Sequence, residues 1–211
     1  PEVIDKAHEA GLKLIIYPLG NPSGFDRGLR YNIDNDKGDA GNEDFMRYEL
    51  EDGTVIDDLG QVPHEKVKRW FWSSDPSLNV HLPLETRLMQ DLLKKDPLSQ
   101  IVGALDLHQD YITKTDTAAA YHYSFGDLSV YEDIIQKVET ITLIFRNTPI
   151  GAGFGVPLNA DGSISREIPE SALIISDNEG FIVRHDGSLP DLFYHLGTPY
   201  CVTVETTGGT P

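Results

Sequence analysis

The feature that most limits how this chain can fold is a set of short apolar runs that show no alternation and are separated by amphipathic helical stretches. Leu12-Lys13-Leu14-Ile15-Ile16-Tyr17, Ile101 through His108 and Tyr200 through Glu205 all read as strands buried on both faces. Between them lie helical patterns over Pro1–Ala10, Pro83–Lys95 and Ser129–Thr140, and one opened by Ser188 and closed by Gly197. In the second helix Leu84, Leu88 and Leu92 recur every four residues, and Pro97 follows as a stop. Apolar strands alternating with helices predict an α/β fold, with a mostly parallel, mixed twisted sheet covered by helices on both faces. At 211 residues the chain is sized for a single domain spanning 1–211. It opens on Pro1 without an initiator Met and enters a helix at once, so we expect it to lack an N-terminal part of that domain.

Residues 32–65 interrupt this rhythm with eleven acids against Lys37 and Arg47, about half of the whole chain's excess of −17. They read as a solvated acidic surface insertion, with a small hairpin at Glu51-Asp52-Gly53-Thr54. Within them, Asp34 to Asp39 resembles a calcium loop in composition only. Asp39 stands at position six and Phe45 at position twelve, where an EF-hand needs glycine and an acid. So negative a field disfavours nucleic acid and anionic membranes as partners, and no apolar run is long enough to span a bilayer. A single cysteine, Cys201, excludes an internal disulfide and suits a core position mid-strand; the expected location is cytoplasmic.

Serine-nucleophile and phosphate-loop signatures are absent, so the informative positions are the strand ends, which face the ligand crevice of a parallel sheet. His108 closes one strand, and Asp106, two residues earlier, leaves the same face. That is how a carboxylate fixes the tautomer of a metal-binding imidazole; a hydrogen-bonded surface histidine is the bland alternative. Glu205 ends another buried strand, where a carboxylate must be paired, protonated or put to use as a base. The glycine-flanked loop Asn21–Asn32 carries Arg27 and Arg30, either of which could fork onto a carboxylate or steady an oxyanion. His122 and His185 are further loop histidines that could join a site.

Asn21-Pro22-Ser23-Gly24 through Arg30-Tyr31, then Leu105-Asp106-Leu107-His108, then Gly187-Ser188 through Glu205 occur in one order. That order resembles the zinc carboxypeptidase superfamily, including its succinylglutamate desuccinylase and aspartoacylase branch. The resemblance implies a phosphorylase/hydrolase-like architecture and a Zn2+ cofactor. His108 would be a metal ligand backed by Asp106, Glu205 would activate water and Arg30 would polarise the scissile carbonyl. Asn21 would contact substrate, and Arg69, in Lys68-Arg69-Trp70-Phe71-Trp72, would stand in for the family's carboxylate grip. A basic residue beside packed aromatics is the competing reading of Arg69.

The family's His-x-x-Glu pair has no match before Asn21, because Gly11 stands where His8 would need its acid. The other two zinc ligands are therefore expected upstream of Pro1, since zinc sites need three protein donors. The activity so implied is zinc-dependent hydrolysis of amide bonds in a small peptide or an N-acyl amino acid. The alternatives are a deacylase proper and a non-catalytic binding module that has lost the metal.

Overall fold

The computed structural model describes residues 2–28, 45–59, 63–109, 118–150 and 174–207. The architecture is α/β, as expected. Its centre is a mixed sheet ordered β4-β10-β5-β6, with β9 also paired to β5. These strands are β4 (Gly103–Gln109), β5 (Ala119–Ser124), β6 (Leu143–Ile144), β9 (Phe181–Ile182) and β10 (Tyr200–Thr207); β7 (Pro149–Ile150) and β8 (Ile174–Ile175) form an antiparallel pair of their own, and helix α1 is Glu2–Glu9. The long central strand β10 runs parallel to β4 and antiparallel to β5, while β5 is parallel to β6 and β9.

Pleating decides which helix meets which residues. Cys201 sits in register with Ala104 and on the same face, where it packs with Leu192 and Phe193 of helix α5 (Leu189–His195). Val202, one residue on, points the other way and joins Tyr131 and Ile135, the latter from helix α4 (Glu132–Glu139). Helices thus cover both faces of the sheet. Glu132 and Asp133 in the first turn of α4 and Lys137 in its last complement the helix dipole.

A second sheet holds β1 (Met46–Leu50), β2 (Val55–Ile56) and β3 (Val67–Trp72), all antiparallel in the order β2-β1-β3. Gly53, at φ 86°, makes the turn that the sequence indicated. The acidic stretch is not a solvated insertion where it is described. Met46 and Tyr48 have no exposed surface, and Phe45 and Leu59 join them in the principal core. Met46, Tyr48 and Leu50 take one face of β1 into that core, while Arg47 and Glu49 on the other face are buried too, Glu49 paired with Lys68 and Arg69; the solvated acids are those of the turns, Glu51, Asp52 and Asp57. The calcium-like residues 34–39 lie outside the described residues.

Three more expectations need correction. Residues 12–17 form no strand and leave Leu12, Leu14, Ile15 and Ile16 exposed; no described strand pairs with them. Helix α3 (Leu84–Leu93) forms as expected, but its inward face carries Thr86, Gln90 and Leu93, and Leu84, Leu88 and Leu92 face outward. Burying Gln90 is feasible because its amide donates to Ser73 Oγ at 2.7 Å and accepts from Ser74 N at 3.2 Å. Among the described residues strand β4 is an edge strand buried on one side only, and Leu105 and Leu107 are 62% and 72% exposed.

Candidate functional site

Register brings His108 and Glu205 together. They are directly paired residues near the carboxyl ends of the parallel strands β4 and β10, so their side chains leave one face side by side. His108 Nδ1 lies 3.2 Å from Glu205 Oε1. On the far side of the ring, Nε2 lies 3.0 Å from Asp106 Oδ2. All three side chains are largely but not wholly withdrawn from solvent. Burial acts against a charged imidazole here, but hydrogen bonds and attraction from Asp106 and Glu205 outweigh it and push His108 up to about 10. His108 is thus held between two carboxylates that favour its charged form.

The arrangement sets one imidazole between two carboxylates. Asp106 occupies one ring nitrogen, as the carboxylate behind a zinc-binding histidine does, and the other nitrogen points at Glu205. Among the described residues, His108 has no second and third donor converging with it.

The other candidate residues go elsewhere. Asn21 accepts from Gly24 N at 2.9 Å and so caps helix α2 (Pro22–Arg27), which forms where a loop was expected. Ser23 anchors that helix through its amide and hydroxyl, each 2.8 Å from the Glu85 carboxylate on α3. Arg30 lies outside the described residues. Arg69 sets Nε 2.7 Å from Glu49 Oε2 and stacks its guanidinium on Phe71, while Lys68 takes the other Glu49 oxygen. His122 is not in a loop: it is buried in β5, opposite Val204, and therefore on the face away from His108 and Glu205. Cys201 is a core residue whose thiol burial pushes up to about 12.

A second cluster was only partly foreseen. His185, Asp191 and His195 bring one potential ligand atom each to within 4.8 Å of one another. Asp191 is fully buried on α5, and its Oδ1 lies 2.7 Å from His185 Nδ1 and 3.2 Å from His195 Nδ1. Its Oδ2 accepts from the Tyr48 hydroxyl and from Gly187 N. Burial alone would raise the Asp191 carboxyl, but hydrogen bonds from His185, His195 and Tyr48 reverse this and hold it at about 2. The loop bearing His185 is pinned by two backbone bonds to residues flanking strands of the second sheet, Leu59 N to His185 O and Phe45 N to Gly187 O. Of this group the sequence pointed to His185 alone; Asp191 and His195, four apart on one helix turn, were the available signal.

The two clusters lie on the same face of the sheet but at opposite ends. Glu205 pairs with Tyr121 of β5, whereas His185 packs on Phe125, just past that strand's end. Four residues of strand separate them, about 13 Å.

No family model matches this chain, and no curated protein does. Two solved structures resemble it. One is a "Putative metallopeptidase" from Shewanella baltica OS155, with 19% identity and a TM-score of 0.45, covering 90% of this chain and 52% of that one. The other carries the same description and comes from Shewanella amazonensis SB2B, with 15% identity and a TM-score of 0.38, covering 90% and 53%. The chain thus spans about half the length of either. No helix among the described residues is long and apolar enough to cross a membrane.

Proposed function

We propose that this chain carries the catalytic half-site of a metal-dependent amide hydrolase of the zinc carboxypeptidase type. One observation supports it above the rest: an imidazole backed by its own carboxylate faces a nearly buried glutamate across neighbouring parallel strands, at the carboxyl edge where such sheets bind ligands. In this reading Asp106 holds His108 Nε2, fixing the tautomer and leaving the Nδ1 lone pair for zinc. When bound, zinc supplies Lewis-acid activation of water and of the substrate carbonyl. Glu205 holds the proton taken from water and releases it to the leaving amine, a role that needs a carboxylate beside the reacting groups and shielded from solvent. Arg30 polarises the scissile carbonyl. The substrates are small peptides or N-acyl amino acids, and the remaining ligands come from residues other than those described.

One finding favours a second reading, a binding module without metal: both His108 nitrogens are already engaged by carboxylates. The discriminating experiment is hydrolysis of peptide and N-acyl amino acid panels by the zinc-supplemented full-length protein. Glu205→Gln should keep zinc yet lose about 10²–10⁴-fold in kcat. His108→Ala should lose both turnover and the zinc that supports it. Wild-type turnover in Glu205→Gln, or no hydrolysis by the zinc-loaded protein, refutes the hydrolase.

A further inference from the structure

The geometry around Asp191 points to a second metal site, separate from His108, in which His64 joins His185, His195 and Asp191 to hold a zinc-class transition-metal ion. His64 stands at the start of the short turn His64–Lys66 that leads into β3. Its ring lies 4.0 Å from that of His185 and 6.4 Å from that of His195, centroid to centroid, while the His185 and His195 rings are 5.5 Å apart. Three imidazoles bound at about 2.0–2.1 Å around a tetrahedral ion have centroids roughly 5 Å apart, a figure the His185–His195 pair matches. His185, Asp191 and His195 already set ligand atoms within 4.8 Å of one another, whereas His64, too near His185 and too far from His195, turns its ring to join them when the ion binds. The fourth corner is the Asp191 carboxylate, whose Oδ1 already lies within 3.2 Å of both His185 Nδ1 and His195 Nδ1.

Donor chemistry selects the ion. Three imidazole nitrogens and one carboxylate oxygen suit zinc, cobalt, nickel or copper, and suit the hard, oxygen-seeking calcium and magnesium poorly. The surroundings are those of a built site. Tyr48 and the Gly187 amide hold the remote carboxylate oxygen, which fixes its orientation as outer partners of metal ligands do. His185 and His195 side chains are only 12% and 14% exposed, and His64 is the exposed member through which an ion could enter. Binding replaces the N–H to Asp191 contacts: each ring turns a lone pair to the ion, and any displaced proton leaves to solvent. Four protein ligands close the coordination sphere, so this is a structural centre, fastening α5 to the turn before β3.

The test is Co2+ binding to the full chain, followed by optical absorption and metal analysis, in wild type and in His108→Ala. One Co2+ with the intense visible bands of tetrahedral coordination is expected in His108→Ala, and the same ion in wild type in addition to any held at His108, with a raised Tm when Zn2+ replaces it. His185→Ala and His195→Ala should abolish those bands. His64→Ala changes an exposed residue and should leave the fold intact while weakening affinity at least tenfold. Absence of tetrahedral Co2+ in His108→Ala, or affinity unchanged in His64→Ala, overturns the site. Because it is read in His108→Ala, its failure is distinct from failure of the hydrolase.

Discussion

The clamp on His108 makes stability depend on pH in a direction that can be worked out. The unfolded imidazole has an ordinary value of 6.5, and Asp106 and Glu205 push the folded one up to about 10 despite burial. Below 6.5 both states hold the proton, and the full stabilisation is present. Above that value the unfolded chain gives up its proton while the native protein keeps it, so stability falls by about 1.4 kcal/mol per pH unit. The loss is complete once pH has risen through the folded value. Across this window the sum is on the order of 5 kcal/mol, as an upper bound, against a typical total of about 5–15 kcal/mol. With a urea slope of about 2–3 kcal/mol/M, the unfolding midpoint should drop by roughly 2 M between pH 6.5 and 10. The measurement is urea unfolding with a chelator present, comparing wild type with His108→Gln so that other titrating groups cancel. Asp106→Asn should lower the upper end of the window. A wild-type minus His108→Gln difference that stays flat from pH 6.5 to 10 would refute the clamp.

Other outcomes are equally definite. Gly180→Ala should cost about 2–4 kcal/mol in urea unfolding. Gly180 has φ +90°, and an added Cβ would clash with Ile144 Cγ2 and lie 3.2 Å from Phe145 O. Tyr131→Phe removes the hydroxyl that accepts from Cys201 N at 2.7 Å, leaving a buried strand amide without that partner. Its expected cost is about 1–3 kcal/mol with an unchanged urea slope, and a neutral effect would contradict the bond. Arg69→Gln should leave the urea midpoint where it was, since its ion pair with Glu49 is exposed on the arginine side. If Arg69 grips substrate carboxylates, the same variant raises KM for carboxylate-bearing substrates alone.

What could be read from the residues depended on whether the deciding contacts were local. Asp106 and His108 share a face through simple strand alternation, and Glu205 lies near the end of the partner strand, so their meeting followed from pattern and topology. Helix α2 was legible yet unread: Asn21 as cap, Pro22 at its start and Gly28 in left-handed geometry spell both of its ends. In β1, alternation at Met46, Tyr48 and Leu50 was masked by the density of acids around it. On α3 the leucine stripe named the wrong face, because hydrogen bonding to Ser73 and Ser74 let Gln90 go inward. The cluster on Asp191 draws His64 and His185 from separate segments, and no spacing in the chain announces that encounter.

The bare leucines of β4 have a consequence for handling this protein. Leu105 and Leu107 stand on a strand whose outer hydrogen-bonding edge has no neighbour among the described residues, an arrangement prone to self-association. A formal charge of −17 opposes such contact by mutual repulsion. Salt shortens the reach of that repulsion to about 3 Å at 1 M, so concentrated electrolyte should drive the chain into oligomers and low ionic strength should disperse them.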